Sequence, residues 1–75
     1  MKPTEIRFRF TENTGETYHR IECDGGSAEV LVIGDGESAA YEWVIVRGGE
    51  VERHSDDAYG QAAAALRDGL VEYFR

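Results

Sequence analysis

The stretch Tyr41-Glu42-Trp43-Val44-Ile45-Val46-Arg47-Gly48-Gly49-Glu50-Val51 decides the fold. Within it Tyr41, Trp43 and Ile45 alternate with Glu42, Val44 and Val46, the period-2 signature of a strand. Gly48-Gly49 follows at once, and two glycines tolerate the positive φ values that a two-residue hairpin loop needs. Glu50 to His54 can then pair back. The reading predicts adjacent antiparallel strands over residues 40–47 and 50–54.

Toward the N-terminus, Ala28 to Ile33 is an apolar run broken only by Glu29. Its β-branched content favours a strand over 28–33, joined to the next by the loop Gly34-Asp35-Gly36-Glu37-Ser38. Thr17 to Cys23 alternates as well, with Tyr18, Arg20 and Glu22 on one face and His19, Ile21 and Cys23 on the other. Asp24-Gly25-Gly26-Ser27 supplies the turn between these two strands. Thr4 to Thr11 sets Ile6, Phe8 and Phe10 against Glu5, Arg7, Arg9 and Thr11. With the turn cluster Asn13-Thr14-Gly15, residues 4–23 are expected to form a β-hairpin with strands at 4–11 and 17–23.

Toward the C-terminus the period changes. Tyr59, Ala62, Ala63, Leu66, Leu70, Tyr73 and Phe74 recur at helical spacing, and Ala62 to Arg67 has high helix propensity. The spacing predicts a helix over 59–74, capped by Ser55, Asp56 or Asp57. Gly69, inside it, costs roughly 1 kcal/mol relative to Ala, a cost accepted where a helix must approach a sheet closely. The expected architecture is one α+β domain over 1–75. It has two layers, a four- or five-stranded antiparallel sheet and one C-terminal helix packed on one face. The other sheet face is expected to stay open. The expected core comprises Ile6, Phe8, Phe10, Ile21, Trp43, Ile45, Leu66 and Leu70.

At 75 residues, the chain buries only about 60% of the surface its unfolded form exposes. One cysteine, Cys23, excludes an internal disulfide and a cysteine-rich zinc site. Apolar content of 41% suits a globular domain and is too high for a disordered tail. No apolar run reaches membrane-spanning length, and the opening Met1-Lys2-Pro3-Thr4-Glu5 lacks the apolar stretch of a secretory signal, so a cytoplasmic protein is expected.

The net charge is −7, unevenly placed. Residues 1–11 carry +2, residues 12–57 carry −9, and residues 58–75 are neutral. That acidity disfavours direct contact with nucleic acid or anionic lipid, both polyanions. No block of like charges is long enough to be a solvated tail. The acids are interleaved with apolar residues and so belong to folded elements.

Catalytic chemistry finds little support. His54-Ser55-Asp56 holds the residue types of a hydrolytic triad, but triads are assembled in space from distant positions. The best remaining constellation is His54 with Asp56 or Asp57, joined by Tyr59, on a strand-to-helix connection with nothing to exclude water. Cys23 is flanked by Glu22 and Asp24, which oppose thiolate formation. The acidic glycine loops at 24–26 and 35–37 lack the spacing of a calcium loop, and neither His19 nor His54 has a partner at zinc-ligand spacing. The glycine pairs fall between strands, whereas a phosphate cradle must open a helix. Tyr41 and Trp43 sit among acids, which suits core packing better than base stacking. No enzyme, cofactor or metal is expected.

Residues 41–51, with Ser55, Tyr59 and Ala62 to Gly69, resemble the strand–turn–strand–helix unit of small bacterial domains of uncharacterised function. In size, charge and lack of catalytic residues the whole chain resembles the very small acidic proteins that phages and prophages encode against host defences. These include anti-CRISPR proteins and nucleic-acid mimics. Neither resemblance transfers a site residue.

The resemblance implies a non-enzymatic protein that binds and inhibits a basic nucleic-acid-handling partner, such as a host defence complex. Ordered carboxylates on a strand stand about 6.6 Å apart and can present a nucleic-acid-like charge pattern to a basic protein or nucleoprotein complex. The candidate contact residues are Glu29, Asp35, Glu37, Glu42, Glu50, Glu52, Asp56 and Asp57. The alternative is a homodimeric structural or assembly module with Ile33, Val44 and Val46 in the interface.

Overall fold

A computed structural model describes residues 16–75. The described chain runs β1 (Glu16–Cys23), a short 3-10 turn (Asp24–Gly26), β2 (Ala28–Asp35), β3 (Ala40–Arg47), β4 (Glu50–His54) and α1 (Ala62–Phe74). The strands form one antiparallel sheet in sequence order, β1-β2-β3-β4. The chain is therefore an α+β fold, a four-stranded antiparallel sheet with a C-terminal helix packed on it. The expected strand at 4–11, with Ile6, Phe8 and Phe10, lies outside the described residues.

The decisive stretch folds as its pattern dictates. Arg47 pairs with Glu50 across the turn, and Gly48 and Gly49 take φ values of 61° and 82°, the left-handed region a tight hairpin turn requires. β2 and β3 pair in unbroken register from Ala28↔Arg47 to Asp35↔Ala40.

The helix covers the face bearing Cys23, Ala28, Val30, Trp43 and Ile45, against which Tyr59, Leu66, Leu70 and Tyr73 pack. Ala65 and Gly69 are its buried residues, four apart on one face. A Cβ at Gly69 would lie 2.8 Å from Trp43 Cβ and 3.1 Å from Val30 Cγ1. The interior glycine is thus the point of closest approach between helix and sheet.

Four expectations are corrected. The helix begins at Ala62 rather than Tyr59, because the Tyr59 backbone exchanges two hydrogen bonds with Tyr41, N to O at 2.7 Å and O to N at 2.9 Å. Its N-cap is accordingly Gln61, without a side-chain cap bond, and not Ser55, Asp56 or Asp57. Ile21 is 38% exposed, because β1 is the outermost described strand and α1 lies over β2 and β3.

The fourth correction concerns the far side of the sheet. Leu31, Ile33, Val44 and Val46 form a second buried cluster, where an open face was expected. The sequence carried the sign of this. Val30-Leu31-Val32-Ile33 is apolar on both faces, as strands buried on both sides are. No described helix is long and apolar enough to cross a membrane.

Candidate interaction surface

The described residues hold thirteen acids against five arginines. Each of those arginines is committed to a carboxylate. Arg20 pairs with Glu29 at 2.6 Å. Arg47 bridges Asp24 at 3.3 Å and Glu52 at 3.4 Å, and its guanidinium stands 5.8 Å from the centre of the Tyr73 ring. Arg53 pairs with Glu72, which also receives Arg75 at 2.9 Å. Arg67 contacts Asp68 at 3.1 Å. Such solvent-screened pairs contribute little to stability. Their larger effect is to leave the remaining carboxylates as the dominant surface charge.

Register locates the eight candidates. Asp35 ends β2 and Glu37 lies in the following loop. The Glu37 N–H donates to Asp35 Oδ1 at 2.9 Å, an Asx turn that fixes the loop. Together with Glu16 and Tyr18 they line a hollow of about 570 Å³ floored by Gly34 and Gly36. Tyr18 stacks edge-on against Tyr41, with ring centres 5.1 Å apart. Loss of solvent raises its hydroxyl pKa, and the Glu16 carboxylate raises it further.

Asp56 and Asp57 follow β4 on the segment that returns beside Tyr41. Glu52 and Asp56 line a second hollow, of about 400 Å³, with Trp43, Arg53, His54 and Glu72. Glu50 stands at the start of β4, toward the opposite end of the sheet from Asp35. Glu29 is held by Arg20 on the side facing away from α1.

Glu42 departs from the expectation. It is 1% exposed, so it cannot meet a partner. It alternates with Val44 and Val46 on β3 and therefore shares the buried far face. The other seven candidates fall into groups: Asp35 with Glu37, Asp56 with Asp57, Glu50 with Glu52, and Glu29 apart. Of these, Glu37, Glu50 and Asp57 face no described cation.

Of the catalytic constellation, His54 and Asp56 line one hollow, whereas Tyr59 is engaged by Asp68. His54 Nδ1 lies 2.9 Å from the Ser55 carbonyl; a carbonyl only accepts, so Nδ1 carries the hydrogen and donates it. Tyr59 Oη donates to Asp68 Oδ2 at 2.7 Å, tying the chain before α1 to the helix. That bond lowers the Asp68 pKa, with Arg67 assisting. The Tyr59 pKa is raised, first by desolvation and then by the Asp68 bond. Ser55 Oγ is buried with no hydrogen-bond partner among the described residues.

A similar tie closes the other end of the helix. Tyr73 Oη donates to Asp24, which also accepts from Arg47. The Tyr73 bond, then Arg47, holds the Asp24 carboxyl below its usual range. Cys23 is buried, and its thiol points to the Ile21 carbonyl at 3.8 Å. His19 lies on β1 opposite Val32. Among the described residues no three of His, Cys, Asp and Glu gather closely enough to hold a metal ion.

Ile33, Val44 and Val46, the residues expected at a homodimer interface, are buried within the single chain. Sequence reasoning missed the arginine ties, of which Arg20 with Glu29, Arg47 with Asp24 and Arg53 with Glu72 join residues distant in sequence. Comparison with family models, curated proteins and solved structures finds no match.

Proposed function

We propose that this chain is a non-enzymatic acidic interaction protein that binds a basic, nucleic-acid-handling partner and inhibits it, as an anti-CRISPR-like inhibitor does a host defence complex. It acts in the cytoplasm, where such partners work. The observation that carries the reading is the distribution of charge: every described arginine is engaged by a carboxylate, and Glu37, Glu50 and Asp57 are exposed and face no cation among the described residues. Their backbone positions are set by the loops and turn that join the strands and the helix, so the charges belong to a folded scaffold rather than to a tail. Charge complementary to a basic groove gives fast, selective association. The same charge keeps the chain off nucleic acid itself.

The test couples capture to displacement. The full chain is immobilised, basic proteins are recovered from a bacterial lysate, and each is assayed for nucleic-acid binding with and without added chain. The expected result is a partner that releases its nucleic acid as the chain is titrated in. Recovery of no basic partner, or of one that holds its nucleic acid unchanged, would refute the reading.

A further inference from the structure

We draw no further inference here: the strongest candidate, the hollow beside the β2–β3 loop lined by Glu16, Tyr18, Asp35 and Glu37, belongs to the interaction surface already described and is a cluster of acidic side chains that no other feature of the described residues ties to a particular ligand.

Discussion

Replacing Gly69 by alanine sets two effects against each other. Helix propensity favours alanine by about 1 kcal/mol at an interior position. Packing opposes it. The new methyl would sit 2.8 Å from Trp43 Cβ and 3.1 Å from both Trp43 Cγ and Val30 Cγ1. Trp43 Cβ is bonded to the β3 backbone and cannot swing aside, and Val30 is fully buried. Relief requires α1 to lift from the sheet, and overpacking of this kind costs about 1–3 kcal/mol. Because the closest contact is to an immovable atom, the upper part of that range applies, and the net loss is about 1–2 kcal/mol. In a domain of this size that lowers the melting temperature by roughly 4–16 °C. Gly60→Ala is the control. Nothing lies within 4 Å of a Cβ there and its φ is not in the left-handed region, so restricting the unfolded chain should stabilise by about 0.4–1 kcal/mol. Thermal melts of the two variants beside the parent decide the matter. A Gly69→Ala protein that melts at or above the parent would refute the close-approach account of the helix.

Other outcomes follow from the same geometry. Ala39 is held at φ 51°, which costs a non-glycine residue about 1–2 kcal/mol, so Ala39→Gly should raise the urea midpoint despite the added chain entropy. Leu66→Asp should destabilise by about 2 kcal/mol or more, because it sets a carboxylate against the Trp43 and Ile45 cluster; an unchanged melt would remove α1 from the core. Asp24 and Asp68 have folded pKa values below the usual carboxylate range, through Tyr73 and Tyr59 respectively and then their arginines. Their stabilisation is therefore present above the unfolded pKa near 4 and is lost as pH falls through the lower folded values. Denaturant melts should show the Asp24→Asn, Asp68→Asn double variant less stable than the parent at pH 7, with the gap closing as pH falls below the usual carboxylate range. A gap unchanged with pH would contradict the two ties. His54→Ala should leave partner inhibition within a few-fold of the parent; a hundred-fold loss in a folded protein would point to catalysis instead.

Much of this fold is legible in the sequence because local periodicity and tertiary burial agree over residues 28–54. The hairpin turn at Gly48-Gly49 and the strand pair beside it need no long-range information. Two failures have different causes. Tyr59 fits the helical period yet pairs with Tyr41, and Glu42 fits a solvated face yet is buried. For Tyr59 a contact distant in sequence overrides the local pattern, and for Glu42 alternation gives the side of the strand but not how deeply that side is buried. The site is less legible than the fold. Composition announces the acidic surplus, but which carboxylates remain free depends on where five arginines land, and that is set by the packing of β1, β3, β4 and α1.

The central claim is that exposed carboxylates facing no described cation make the binding surface. Its most direct test is the dissociation constant of the captured partner, measured for the parent and for a Glu37→Lys, Glu50→Lys, Asp57→Lys variant across a salt series. These three side chains are exposed and should cost little stability on replacement, within about 0.5 kcal/mol each. The account predicts that parent affinity falls steeply as salt rises, and that the variant, folded to the same melting temperature within a few degrees, binds at least ten-fold more weakly at low salt. Equal affinity for parent and variant, or an affinity indifferent to salt, would contradict it.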